Sequence, residues 1–216
     1  EFATLSFSGD TIVTNLSSQN INLRPIEVTH SGQASLANKN LSSQHEIELE
    51  NGFGVVLEQQ QSNVKVHINH QDIISLQSII SQLEHTTSVK AGSLTANIEF
   101  TLPQEGKPFI AQGNVDFYGL SVKYQDYLLN NITYLTPLTF DSAGLQLPNS
   151  TLHIDSIDVG VMIQQVEANV VAQDSILRLN QVQGEILNGK FSLGELWLDG
   201  REQQFNINIQ NIDLAQ

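Results

Sequence analysis

The sequence predicts a mainly β protein: a long, curved antiparallel sheet, trough-like or sandwich-like, with one amphipathic helix near residues 71–85. Apolar and polar residues alternate with a period of two through most of the 216 residues, which is typical of strands with one buried and one solvated face. Turn dipeptides such as Asn51-Gly52 separate the alternating segments. We therefore predict a single β-rich domain over residues 1–216, whose one candidate internal boundary lies near residues 86–92.

The first clear hairpin is predicted at Asn51-Gly52, because both residues of a tight two-residue β-turn need a positive φ. Before this turn, Ile47 and Leu49 alternate with glutamates. After it, two further strands continue the alternation, with Phe53, Val55 and Leu57 in the first and Val64, Val66 and Ile68 in the second. Three successive alternating segments predict a meander with one apolar and one wet face.

One segment has helical spacing instead. Between Asp72 and His85 the apolar residues fall on one side of a helix, at Ile73, Leu76, Ile79, Ile80 and Leu83. We predict an amphipathic helix that covers part of the sheet, with Asn69 as its N-cap. A membrane-surface helix is the alternative, but its polar face lacks the Lys and Arg residues that anionic lipids attract.

The alternation changes phase twice in the C-terminal half. The apolar residues are on even positions up to Ile154, on odd positions from Ile157 to Ile163, and on even positions again from Val166. Each slip would turn all later side chains to the other face of the sheet. We therefore expect β-bulges near Asp155-Ser156 and Gln164-Gln165.

The apolar face of the predicted sheet needs a cover. One helix is too short to provide it, so the sheet either folds over as a sandwich or remains an open trough. An exposed apolar trough indicates a ligand or a partner. Candidate lining residues alternate on odd positions of two predicted strands: Val159, Val161, Ile163, Ile207 and Ile209. Whether those two strands share a face depends on their register, which the sequence leaves open.

Composition and motifs argue against several classes of function. The chain has 9 basic and 23 acidic residues and a net charge of −14, which would repel the backbone of a nucleic acid. It has no cysteine, and 22 Gln and 19 Asn supply much of its polarity. His67 and His70 are close in sequence, but no second cluster completes a metal site. Without a nucleophile motif or a phosphate-binding glycine loop, we expect no enzyme activity, no catalytic or metal-binding residues and no cofactor.

Three segments carry a resemblance to a known family: Gly113–Val122, Leu152–Val161, and Val182–Leu193 continued by Asn211–Leu214. On these residues, the stretch from Gly106 to Gln216 resembles the C-terminal part of YdbH-like proteins, within the AsmA-like group of Gram-negative envelope proteins. The family favours a Gly-Gly pair where Asn188-Gly189 stands in this chain. The turn chemistry of the two pairs is the same.

The resemblance implies a periplasmic module for lipid transport. Members of the group are similar to bridge-like proteins that an N-terminal helix anchors in the inner membrane. They carry phospholipid acyl chains along an apolar trough toward the outer membrane, and the YdbH-like branch works with a small outer-membrane lipoprotein. The chain begins with Glu1, so we expect a fragment of a longer envelope protein from which the anchor is missing. The five candidate residues would then form a lipid-facing groove.

Two functional hypotheses follow from the sequence and the resemblance. The protein is either a lipid-conducting module or a non-conducting structural or interaction domain that is folded as a closed β-sandwich. The family is also labelled dicarboxylate transport, but a net charge of −14 is a poor match to a dianion. Strand curvature distinguishes the lipid-conducting module from the closed β-sandwich, because only an open trough leaves large apolar side chains accessible.

Overall fold

The computed structural model describes residues 3–14, 17–18, 21–22, 25–37, 40–49, 51–102, 108–198, 204 and 206–212. Most of these residues lie in β-strands, as the period-two alternation predicts. The strands are β1 Ala3–Val13, β2 Ser17–Ser18, β3 Ile21–Asn22, β4 Ile26–Ala37, β5 Asn40–Leu49, β6 Phe53–Gln60, β7 Asn63–Asp72, β8 Thr87–Thr101, β9 Ala111–Tyr124, β10 Tyr127–Asp141, β11 Gly144–Asp158, β12 Met162–Gln173, β13 Ile176–Ile186, β14 Gly189–Trp197 and β15 Ile207–Gln210.

Thirteen of the strands form one antiparallel sheet in the order β1-β4-β5-β6-β7-β8-β9-β10-β11-β12-β13-β14-β15, and β2 pairs with β3 in a separate ladder. Consecutive strands of the large sheet are therefore neighbours, and β1 and β15 are its two edges. The strands β8, β10 and β11 have 15 residues each, against a usual strand length of about 5–6. The predicted fold class, a long antiparallel sheet with one helix, is confirmed.

The helix lies between β7 and β8, where the sequence predicts it. A 3₁₀ turn, Ile73–Leu76, leads directly into α1, Gln77–Leu83. The predicted N-cap at Asn69 is wrong, because that residue still belongs to β7. Asp72 caps the turn instead, and its Oδ1 accepts a hydrogen bond from the Ile74 amide at 2.9 Å. No helix in the described part of the chain has the length and apolarity that crossing a membrane requires.

Gln77 ties the helix to the start of β8. Its Nε2 donates to the Thr87 carbonyl at 3.2 Å, and its Oε1 accepts from the Val89 amide at 2.6 Å. Ile73 is buried, whereas Ile74 and Leu83 remain exposed. The helix therefore packs near the ends of the central strands and leaves most of the sheet uncovered.

Strand register divides the side chains of the sheet between two faces, because residues opposite each other in an antiparallel pair lie on the same face. One row, on what we call the apolar face, runs from β1 to β10 through Phe7, Gly32, His45, Leu57, Val66, Ile98, Gly113 and Leu138. The row beside it, on the polar face, runs through Ser8, Ser31, Glu46, Val56, His67, Asn97, Asn114 and Pro137.

A line of bulges crosses the sheet near the strand ends that adjoin the helix. The residues on this bulge line have a positive φ inside β7, β8, β9, β10 and β12, and they are His70, Gly92, Gly119, Asn131 and Gln165. The bulge predicted near Gln164-Gln165 is confirmed, since the pairing of β12 with β13 shifts between Gln164 and Glu167. Bulges bend their strands and strengthen the local twist, so the line bends the sheet along one margin.

The bulge predicted near Asp155-Ser156 takes a different form. Ile154 and Ile157 keep a single register with both neighbouring strands. At the level between them, Asn131, Asp155 and Gln165 are all left out of the pairing. β10, β11 and β12 therefore each leave one residue unpaired at the same level. The alternation in all three strands shifts there together, so the pairing register of β11 with its two neighbours is the same before and after this level.

The best-packed part of the apolar face belongs to the C-terminal strands. Ile154, Val166, Ala168 and Val182 form a buried cluster. Partly buried side chains pack against it: Leu129, Ile132, Leu152, Ile157, Ile163, Leu179, Phe191 and Leu193. Ile154 and Ile157 thus lie on one face although one position is even and the other odd, which is the phase slip that the sequence predicts.

The candidate domain boundary near residues 86–92 falls at the start of a long strand. β8 begins at Thr87 and pairs with both β7 and β9. Strands on the two sides of this position therefore belong to one sheet. The assignment of residues 1–216 to a single domain stays a prediction.

Candidate functional site

The two faces of the sheet differ in exposure along β12. Val166, Ala168, Val170 and Ala172 on the apolar face are 3–6% exposed, whereas Glu167 between them points to solvent. Apart from the short β2–β3 ladder, the described residues form no second sheet that could cover this face. Even so, no large side chain among those described is completely buried. The apolar face is therefore a packed surface of aliphatic side chains that no second large sheet covers among the described residues, and it is the candidate site.

Three of the five predicted groove residues lie on this apolar face. Ile163 on β12 is opposite Ile157 and Ile186, and it packs against the buried cluster. Ile207 and Ile209 on the edge strand β15 are opposite Leu193 and Phe191, which also contact that cluster. The side chains of Ile207 and Ile209 are 51% and 49% exposed, so they extend the apolar face to the edge of the sheet.

Val159 and Val161 lie elsewhere. The segment from 157 to 163 was expected to be one strand, but β11 ends at Asp158 and β12 begins at Met162. The two valines therefore belong to the connecting turn, where the Gly160 amide donates to Asp158 Oδ1 at 3.0 Å and the φ of Gly160 is +87°. They are 43% and 41% exposed at the margin of the sheet. Their role as lipid-facing residues stays a prediction.

An aromatic group that sequence reasoning missed lies at the opposite ends of the strands. The ring centroid of Phe109 is 5.8 Å from that of Phe100 and 6.4 Å from that of Phe140. Phe100 and Phe140 are both opposite Ala111, which places them on one face. Phe109 and Phe140 are 38% and 45% exposed. Only the strand register brings these rings together, so the sequence carries no local signal for the group.

A buried polar pair interrupts the apolar face. Thr136 Oγ1 and Ser150 Oγ are 2.9 Å apart, and the two residues are 4% and 9% exposed. Each hydroxyl also has a carbonyl within reach, that of Pro137 for Thr136 and that of Pro148 for Ser150. Both buried hydroxyl groups therefore have hydrogen-bond partners. The Tyr134 hydroxyl is different, because it is buried and has no hydrogen-bond partner.

The ionisable groups on the polar face form separate, partly exposed contacts. His153 Nε2 is 3.1 Å from Asp155 Oδ1, and its Nδ1 is 3.7 Å from Glu167 Oε1. His67 Nδ1 instead contacts Asn97 Oδ1 at 2.7 Å, so it has its own partner. In the described part of the chain, no group of three or more His, Cys, Asp or Glu residues is placed to hold a metal ion. Solvent-exposed pairs of this kind contribute little to stability.

Shallow furrows also cross the polar face. One is lined by Glu46, Glu48 and His67 among others, and another by Glu58 and Lys65 among others. Both furrows lie between long polar side chains of neighbouring strands. Their linings mix polar and apolar groups, whereas the apolar face presents a packed set of aliphatic side chains, so the apolar face remains the better candidate for a functional surface.

Comparison with known proteins agrees with the sequence motifs and extends their range. No curated protein and no solved structure matches the chain. A family model described as "Intermembrane phospholipid transport protein YdbH" matches residues 3–216. The match covers the N-terminal strands as well as the stretch from Gly106 on which the motifs lie. The chain belongs to the YdbH-like family.

Proposed function

We propose that the protein is a periplasmic lipid-conducting module, in which the apolar face holds the acyl chains of phospholipids that move between the inner and outer membranes. The observation that carries the proposal is the burial of aliphatic side chains on one face of a sheet that no second large sheet covers within the described residues. Ile154, Val166 and Val170 are only 5–6% exposed. On a flat uncovered sheet such side chains would face solvent, so the sheet must curl around them.

Such a curl would make the apolar face a trough. The helical segment packs mainly against β8 near one set of strand ends, and the bulge line bends the strands near the same ends. The two edges, β1 and β15, do not pair with each other in the described sheet, which is thus an open strip. Large apolar side chains at an open edge, such as Ile207 and Ile209, suit contact with lipid.

Such a trough would run across the strands. Thirteen strands spaced about 4.8 Å apart extend roughly 60 Å in that direction. Ile132, Ile154 and Val166 lie opposite one another on three successive strands, so a tail that crosses the strands meets one aliphatic side chain after another. Burying each CH₂ group of a tail contributes about 0.8 kcal/mol without any specific polar contact. A surface of this kind can hold tails of different lipids and still let them move.

The family supports the envelope setting of the proposal. A protein for intermembrane transport of phospholipid acts between two membranes, which in a Gram-negative cell means the periplasm. A small outer-membrane lipoprotein and an inner-membrane anchor are the partners that the family resemblance implies. The polar face, with its amides and carboxylates, suits contact with water.

The second candidate is a non-conducting structural or interaction domain, a closed β-sandwich. In that case the same side chains would be a dry core that no lipid reaches. Native mass spectrometry of the protein purified from membranes separates the two. We expect co-purifying phospholipid, whereas a protein that is always free of lipid would contradict the proposal.

Site-specific photocrosslinking gives a sharper test. A photoreactive amino acid is placed at Ile209 on the apolar face or, as the matched control, at Asn208 on the polar face of the same strand. Crosslinks to phospholipid are expected from position 209 and not from position 208. Equal yields from the two positions would contradict the assignment of the apolar face.

A further inference from the structure

Two histidines lie on the apolar face near the β1 edge. His30 on β4 is opposite Gly9 and Ile47, and His45 on β5 is opposite Gly32 and Leu57. The apolar face carries few polar groups, and histidine gains a positive charge near neutral pH. Among the described strand residues whose register is given, no Lys or Arg lies on this face. The two histidines are thus its candidates for a positive charge.

Two glycines make room for the rings in this region. The Phe7 ring lies over Gly32, since a Cβ atom on that glycine would be 2.5 Å from Phe7 Cζ. The His30 ring lies over Gly9 in the same way, with its Cε1 3.4 Å from the position of such a Cβ. The Phe7 centroid is 6.3 Å from that of His30 and 5.0 Å from that of His45. The Phe7 ring therefore lies near both histidines, on the side of the edge strand β1.

The residues around the two histidines on this face carry no other charge. His45 Nε2 is 3.1 Å from Ser43 Oγ, and Gln59 is opposite Ser43. The apolar-face residues of the flanking strands are Phe7, Gly9 and Thr11 on β1 and Val55, Leu57 and Gln59 on β6, none of which titrates. The carboxylates of these strands are at alternate positions and face the other way: Asp10, Glu27, Glu46, Glu48 and Glu58.

We propose that His30 and His45 bind the phosphate group of a phospholipid whose tails lie on the apolar face. The inference rests on the proposed function and adds a headgroup site to it. Protonated imidazole donates from both ring nitrogens, and charge-assisted hydrogen bonds to phosphate oxygens are among the stronger ones. The chain carries a net charge of −14, and the basic residues of the described strands whose register is given lie on the polar face.

Protonation and binding are linked in this site. Phosphate favours the charged imidazole, so affinity for a phospholipid should rise as the pH falls and the imidazoles become charged. A phosphodiester stays ionised over this range, so the lipid contributes no titration of its own. A neutral lipid with the same tail has nothing to pair with the histidines, and its affinity should not change with pH.

The test uses two probes with one tail, 1-myristoyl-lysophosphatidylglycerol and 1-myristoylglycerol, each below its critical micelle concentration. Binding is measured by displacement of the neutral fluorophore N-phenyl-1-naphthylamine at pH 5.5 and pH 8. We expect the phosphate lipid to bind about tenfold more tightly at the lower pH, the size of one charge-assisted hydrogen bond. The neutral lipid should bind equally at both pH values.

Variants assign the effect to the two histidines. The double variant His30→Gln/His45→Gln should lose the pH dependence and still bind 1-myristoylglycerol. The matched control, His67→Gln/His153→Gln, changes two histidines of the polar face and should keep it. Loss of the pH dependence in the control, or its survival in the first variant, would overturn the proposal. If neither lipid displaces the fluorophore from the wild type at either pH, the proposed function itself fails.

Nuclear magnetic resonance gives a readout that does not depend on the variants. The phosphate lipid should shift the imidazole signals of His30 and His45 in the wild-type protein, and the neutral lipid should not. Inorganic phosphate alone should have no such effect, because the tail supplies most of the binding. An equal response to inorganic phosphate would mean a site for the free anion and would overturn the lipid assignment.

Discussion

Asn131 and Asp155 are joined across β10 and β11 by a hydrogen bond from Asn131 Nδ2 to Asp155 Oδ2. Asn131 has a φ of 53°, and its backbone amide donates to Ser121 Oγ at 3.1 Å. A residue left out of strand pairing loses its ladder partners, and these side chains replace them. At Asn131 the bulge is therefore held by specific side-chain contacts.

Gly92 should be a sensitive point on the bulge line. Its φ is +125°, and a Cβ atom there would be 2.6 Å from the Leu120 Cα, a backbone atom that cannot move aside easily. We expect Gly92→Ala to lower the free energy of unfolding by about 1–3 kcal/mol. Urea denaturation followed by circular dichroism measures the change.

Gly194→Ala is the matched control, because nothing lies within 4 Å of a Cβ at that glycine. Its free energy of unfolding should change by less than about 0.5 kcal/mol. Similar losses in the two variants would show that the backbone contact at Gly92 is not what matters.

A charge on the apolar face should have opposite effects at an edge and in the buried cluster. Ile207→Asp places a carboxylate at the edge of that face, where the native side chain is 51% exposed. Asp at Val161 places one in the turn at the margin of the sheet, where the native side chain is 41% exposed. Both charges can reach water. We expect the melting temperature to stay close to that of the wild type while lipid transport is lost. An envelope-permeability assay beside thermal melts measures both effects.

Val166→Asp should instead unfold the domain, since Val166 is 6% exposed and a buried charge without a partner is costly. Asn208→Asp, on the polar face beside Ile207, should leave both stability and transport unchanged. A fully active Ile207→Asp variant, or one that melts as low as Val166→Asp, would remove Ile207 from the lipid path.

The cap of the 3₁₀ turn should be Asp72 and not Asn69. Asp72→Ala removes the acceptor of the Ile74 amide, and we expect a loss of about 0.5–2 kcal/mol of stability. Asp72→Asn keeps an acceptor and should retain most of that stability. Asn69→Ala, the control in the preceding strand, should cost less than Asp72→Ala in thermal melts. A larger loss of stability in Asn69→Ala than in Asp72→Ala would instead support Asn69 as the cap.

Glu84 should titrate below the ordinary range of a glutamate. The Thr86 hydroxyl, and then the Thr86 amide, donate to its carboxylate and hold the pKa down. Because the folded pKa is the lower one, the contact stabilises the fold above the unfolded pKa, and this contribution is lost as the pH falls through the folded pKa. Thr86→Val should raise the pKa of Glu84 in a nuclear magnetic resonance titration. An unchanged pKa in that variant would mean that the hydroxyl is not the cause.

Local patterns in the sequence predict the strands and the helix because each depends on residues close together in the chain. The turn at Asn51-Gly52 and the phase slip after Ile154 are examples, and both appear in the fold. The N-cap was misplaced because Asn69 and Asp72 are both plausible caps by residue type. Only the length of β7 decides between them.

The candidate site was harder to predict because it depends on register. Ile163, Ile207 and Ile209 were placed on one face only once the pairing of β12 to β15 was known. Val159 and Val161 fit the same alternation but lie in a turn, since a short turn can continue a period of two. The rings of Phe100 and Phe140 come from strands that are far apart in sequence, so no local pattern links them.

The order of the strands determines the order in which the parts of the sheet unfold. Because each strand of the large sheet is hydrogen-bonded to its neighbours in the chain, the sheet is a linear array. Arrays of this kind have stabilities that are close to a sum of nearest-neighbour terms, as in repeat proteins. Loss of β1 or β15 would remove one interface and leave the next strand as the new edge. Amide hydrogens should therefore exchange fastest in the outermost strands and slowest in β9 to β12, with opening that moves inward from the two edges.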